Sequence, residues 1–212
     1  MKSMQTRAVV AALALALTAG HAAVAAAQDG GGSANEISVL GGFQILNQND
    51  TALPDQFVNI PAVASVGRWL SPVFVAEGEF SWLIPMERGV RVGSGPEQDR
   101  KTPDVLAYQA NLRAHLPAAA PWSPYLAGGL GALTVLSSTD ADRLPQVDES
   151  QTMFALNFGG GLGYSLSPRW ALRADFREFV AFPSDDASGL SNASGADPIW
   201  MERGTVGLGY RF

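Results

Sequence analysis

The sequence predicts an all-β fold: an eight-stranded antiparallel up-and-down transmembrane β-barrel. Three observations carry that prediction. Apolar residues recur at every second position through successive segments, the connections alternate long and short, and all five tryptophans fall at segment ends. Period two, with apolar side chains on one parity and charged ones on the other, describes a strand whose two faces meet different media. The mature chain has no run of about 18 consecutive apolar residues, so no helix is expected to span a bilayer.

The elements follow in order. Lys2 and Arg7, the apolar run 8–19 and the small residues Ala25, Ala26 and Ala27 have the three-part pattern of a secretory signal peptide, so residues 1–27 are expected to be cleaved. Residues 28–34 read as a flexible, glycine-rich lead-in to a single domain over 35–212. In the first strand Ile37, Val39, Gly41, Phe43 and Ile45 share one parity. The second is placed at 62–70. In the third, Phe74, Ala76, Gly78, Phe80 and Trp82 alternate with Val75, Glu77, Glu79 and Ser81. In the fourth, Leu106, Tyr108, Ala110, Leu112 and Ala114 oppose Gln109, Asn111 and Arg113. The fifth, at 125–136, is so rich in Gly and Leu that alternation assigns it no faces. In the sixth, Phe154, Leu156, Phe158, Leu162 and Tyr164 share a face. In the seventh, Trp170, Leu172, Ala174 and Phe176 oppose Arg173, Asp175 and Arg177, and in the eighth Val206, Leu208, Tyr210 and Phe212 oppose Arg203, Thr205 and Arg211.

A soluble sandwich or ligand-binding barrel would also alternate, so the direction of burial needs separate evidence. Long connections at 47–60, 84–103, 137–150 and 182–199 alternate with short ones at 71–72, 117–123 and 167–169. Long loops on one side and tight turns on the other are the pattern of an outer-membrane barrel, with both termini on the turn side. Trp69, Trp122 and Trp170 lie beside the short turns, and Trp82 and Trp200 beside the long loops. Indole has an apolar body and an N–H that wants a partner, so these five residues are expected to form aromatic girdles at the two membrane interfaces.

Composition narrows the function classes. The chain has 14 Lys+Arg and 20 Asp+Glu; removing the two basic residues of the leader leaves 12 against 20, or −8. An acidic excess argues against nucleic acid as a partner. There is no cysteine, hence no disulfide, thiolate chemistry or Cys-held metal. His115 is the sole histidine after the leader, and no convincing catalytic set surrounds it, so neither catalytic residues nor a cofactor are expected. The glycine runs 128–131 and 159–163 are read as small residues inside strands rather than phosphate loops, because no helix pattern follows them. Asp140 with Asp142, and Asp185 with Asp186, lack the ligand spacing of a known calcium loop and are read as solvated acids, so no metal site is expected.

The segments 66–72 (VGRWLSP), 155–177 (ALNFGGGLGYSLSPRWALRADFR) and 207–212 (GLGYRF) resemble the small outer-membrane β-barrel family related to the OmpA transmembrane domain. The resemblance extends over essentially the whole mature chain. It implies residence in the bacterial outer membrane, with outer-membrane lipid as surroundings and with the barrel-assembly machinery and periplasmic chaperones as partners during biogenesis. It also implies that Val206, Leu208, Tyr210 and Phe212 form the assembly signal. The family's activities are varied, so membership implies architecture and compartment rather than a substrate.

The charged parity supplies the candidate site. Glu77, Glu79, Arg113, Arg173, Asp175 and Arg177, with Arg203 and Arg211, are expected to face the barrel interior as a polar network. Opposite charges there would pair, because an unpaired buried charge is costly. The resulting expectation is a structural or surface-interaction protein with a filled lumen and four exposed acidic loops whose extracellular ligand is unknown. The alternative is a narrow pore or a lateral path for small or hydrophobic solutes, with room left by the glycine-rich strands.

Overall fold

The computed structural model describes residues 35–47, 56–90, 98–140, 149–183 and 198–212. The expected leader and lead-in lie outside the described residues. Eight long strands close into one barrel: β1 (Asn35–Asn47), β2 (Gln56–Trp69), β3 (Phe74–Pro85), β6 (Val105–His115), β7 (Trp122–Val135), β8 (Gln151–Ser165), β9 (Trp170–Phe182) and β10 (Ile199–Arg211). Each pairs antiparallel with its neighbour along the chain, and β10 pairs with β1 to close the ring. The backbones of Asn35 and Phe212 exchange hydrogen bonds at the closure, 3.2 and 3.0 Å long. Such closure leaves no open strand edge, as spanning a membrane requires.

Burial runs opposite to that of a soluble barrel. Val39 (70 % exposed), Val206 (60 %), Leu126, Phe176 and Leu208 lie outward, whereas Glu77, Arg113, Arg177 and Arg203 are buried within. This distribution excludes the soluble ligand-binding barrel. The outward band has the right height: Trp200 to Tyr210 spans ten residue steps of β10, which at about 3.3 Å per step and a tilt of about 40° rise about 25 Å.

Two elements differ from the sequence expectation. Strand β2 begins at Gln56 rather than 62, and Pro61 lies within it. Pairing of β2 with β3 is continuous through Pro61 and Leu83, but the β1–β2 ladder skips from Gly41 and Ala62 to Gln44 and Asn59. Pro61 lacks the N–H that would face β1, so the strand tolerates it at the cost of a gap on that side. The second long loop also carries a two-stranded hairpin, β4 (Arg88–Val90) with β5 (Gln98–Arg100). Its segment 84–103 holds Glu87, Glu97 and Asp99 against Arg88, Arg91, Arg100 and Lys101, three acidic against four basic, or +1. The other three long loops are acidic; this one is not.

Strand β7, which alternation left without faces, is resolved by burial. Tyr125, Ala127, Leu133 and Val135 are buried toward the interior, and Leu126 and Leu130 are exposed outside.

Candidate functional site

The lumen is built from one parity of each strand, and along its length it divides into two tiers. The tier nearer the short turns is ionic. Glu77 on β3 accepts from Arg173 Nη1 at 2.6 Å and from Arg177 Nη2 at 3.0 Å, and its Oε2 lies 3.3 Å from Arg113 Nε. Glu79, one inward step further along, pairs with Arg203 Nη1 at 2.7 Å and with Arg177 Nη1 at 3.5 Å. Asp175 accepts from Arg177 Nε at 2.8 Å and from the Tyr125 hydroxyl at 2.7 Å. Glu36 takes Arg113 Nη2 at 2.8 Å and Arg211 Nε at 3.3 Å.

Strands β3 and β9 lie four positions apart around the ring in either direction. The pairs from Glu77 to Arg173 and Arg177 therefore run across the full width of the barrel. Each guanidinium has several acceptors: Arg177 reaches Glu77, Glu79 and Asp175 and is fully buried. Planar, multidentate donors suit Arg to this role, and sharing among carboxylates offsets the cost of taking the charges out of water. Ser65 and Ser81 donate to Glu77 and Glu79 at 3.3 and 3.2 Å, and Asn157 donates to Gln109 and Asn111 at 2.8 and 2.9 Å.

The tier nearer the long loops is apolar. Leu133, Val135, Met153, Phe179 and Met201 pack with Ala107, Ala155 and Ala181. The two tiers meet where the Arg203 guanidinium lies 4.7 Å over the Phe179 ring. Above them Thr102, from the second long loop, is buried and donates to Asn59 at 3.0 Å.

The structure brings Glu77, Glu79, Arg113, Arg173, Asp175 and Arg177 into one network and adds Glu36 and Tyr125, which the sequence reading did not single out. Glu36 shares its parity with Ser38, opposite Ile37 and Val39, so the alternation of β1 already contained it. Tyr125 sits on the strand without visible faces; it is the cross-strand partner of Gly161, where a Cβ would collide with the tyrosine hydroxyl. That glycine clears space for an interior ring rather than leaving a void.

The aromatic residues divide. Trp122 and Trp170 lie outward at the turn end, packed at 4.8 Å on Tyr164 and Tyr210 respectively, and Trp82 and Trp200 lie outward at the loop end. Trp82 also donates to Asp104 at 3.2 Å. Trp69 departs from the girdle expectation. It is on the inward parity, 4.6 Å from the His115 ring and 5.0 Å beneath the Arg211 guanidinium. Of the expected assembly signal, Val206 and Leu208 are exposed outside, and Tyr210 stacks on Phe212 at 6.4 Å. His115 bonds Ser123 at 2.8 Å. No group of three or more His, Asp or Glu fit to hold a metal occurs among the described residues. Asp142, Asp185 and Asp186 lie outside them.

Residues 10–212 match the family model for the outer membrane protein beta-barrel domain. Among solved structures the chain resembles Neisserial surface protein A (NspA), with 14% identity, a TM-score of 0.57, and coverage of 86% of this chain and 100% of that one. It also resembles the N-terminal β-barrel domain of Pseudomonas aeruginosa OprF, with 14% identity, a TM-score of 0.54 and the same coverage. At that identity the likeness concerns the fold. No curated protein matches the chain.

Proposed function

The chain belongs to the outer membrane protein β-barrel family, and from that premise we propose that it is a non-conducting barrel with a structural or surface-interaction role. The observation that carries this reading is the set of ion pairs from Glu77 across the full width of the lumen to Arg173 and Arg177. An eight-stranded barrel has an interior just wide enough to be filled by side chains. Here the ionic tier, the apolar tier and the inturned Thr102 occupy successive levels of it. The inward glycine at 161, which sequence left as possible room for a solute, has its space taken by Tyr125.

On this reading the turn end, with Trp122, Trp170 and Phe212, faces the periplasm, after export directed by the leader and insertion by the assembly machinery. The four long loops project outward from a rigid scaffold, where variable recognition is usually placed. They offer an uneven surface: three acidic loops and one, 84–103, of net +1. No catalytic role is assigned. Proteoliposomes carrying the folded chain and loaded with small labelled solutes test the reading. Efflux no faster than from protein-free vesicles is expected; size-dependent efflux above that baseline would assign transport instead.

A further inference from the structure

The ionised side chains of the lumen do not balance. Arg113, Arg173, Arg177, Arg203 and Arg211 face Glu36, Glu77, Glu79 and Asp175, five charges against four, or +1. The excess gathers at the turn end. A cavity of about 20 Å³ opens there, lined by the guanidinium side chains of Arg113, Arg173 and Arg211 together with His115, Ser123 and a single carboxylate, Glu36.

Donors in this cup are left over. Arg211 engages Glu36 through Nε alone and rests its guanidinium face on Trp69, so its two terminal nitrogens have no hydrogen-bond partner among the described residues. His115 is fixed by Ser123 at Nδ1, and its buried Nε2 has none either. When the Ser123 hydroxyl donates to Nδ1, Nε2 carries the proton and becomes a further donor. Glycines keep the walls bare: Gly163 and Gly209 border the cavity, and a Cβ at Gly209 would stand 3.2 Å from Ser38 Oγ.

We propose that this cup at the turn-end mouth of the lumen binds one monovalent, chloride-sized anion. Space of this order holds about one water-sized particle. Arg211, whose side chain is 29% exposed, can move to admit a slightly larger ion, and the small volume favours a chloride-sized ion over a bulkier tetrahedral oxyanion. The anion offsets the odd positive charge, takes hydrogen bonds from Arg211 and His115, and selects the Nε2–H tautomer. This site is independent of the proposed function: it concerns one end of the lumen and holds whether or not the barrel conducts.

The test uses the full folded mature chain. Sodium chloride is titrated against sodium gluconate at constant ionic strength while the thermal midpoint is followed by heat-modifiable migration. A ligand that binds only the folded state raises the midpoint with its concentration. The expected result is a rise with chloride, reproduced by bromide but not by sulfate. Arg211→Gln and His115→Phe, the second retaining the stack on Trp69, should each weaken the apparent chloride affinity by about tenfold or more, the equivalent of a lost charge-assisted bond. Bromide soaked into crystals of the unaltered protein should give an anomalous peak in the cup, which decides the matter even if Arg211→Gln fails to fold. A midpoint that stays flat as chloride replaces gluconate, an unchanged chloride response in both variants, or water alone in the cup would each overturn the proposal.

Discussion

The two tiers of the lumen solve the same packing problem by different physics. Near the loops, Leu133, Met153, Phe179 and Met201 pack together as an ordinary core does, with stability set by apolar contact. Nearer the turns, long polar side chains reach across the interior and pair there. That arrangement stands only if every charge is shared. The apolar tier should therefore respond to lost volume, and the ionic tier to lost balance.

The sharpest way to break the comparison is Glu77→Gln. It leaves volume almost unchanged but removes a carboxylate shared by Arg113, Arg173 and Arg177. Removing one partner of a buried pair costs about 3–5 kcal/mol, so this should be the largest loss, read from denaturant unfolding out of lipid vesicles. Next comes Leu133→Ala, a volume defect in the other tier, expected to cost about 2–5 kcal/mol by the same measurement. Val206→Arg places a charge near the middle of the outward band and should cost about 2–4 kcal/mol. If it is instead neutral, the outward face does not meet hydrocarbon.

The smallest effect sharpens the rule. Glu79 and Arg203 pair at 2.7 Å, and replacing both by Met removes two charges together. Arg177 keeps Glu77 and Asp175, so the double variant should stay within about 1 kcal/mol of the parent. Either single replacement should cost more than the pair. A double variant as damaged as the worse single would show that the pair contributes net stability rather than merely tolerating burial.

Most of the barrel was legible because alternation detects contrast between two faces. Where the contrast is strong, as in Arg173, Asp175 and Arg177 against Leu172, Ala174 and Phe176, both strand and interior residues could be read directly. Where both faces are apolar, it fails. Leu133 and Val135 point inward beside outward Leu126 and Leu130, so the apolar tier had no periodic signature. The early start of β2 was hidden by Pro61, whose missing N–H argues against a strand interior unless one ladder can be interrupted. Position beside a turn does not by itself place Trp69 at the outer interface, because its parity points it onto His115 and Arg211. Glu36 needed only the alternation already visible in β1. Tyr125 needed a cross-strand register with Gly161, which no single segment encodes.

Single-channel recording of the folded chain in a planar bilayer, with heat-modifiable migration confirming that it is folded, tests the central claim most directly. The account predicts a silent bilayer, because the ion pairs of Glu77, Arg173 and Arg177 cross the lumen at full width and the Leu133 and Phe179 tier lies above them. Reproducible discrete conductance steps from verified folded protein would contradict it.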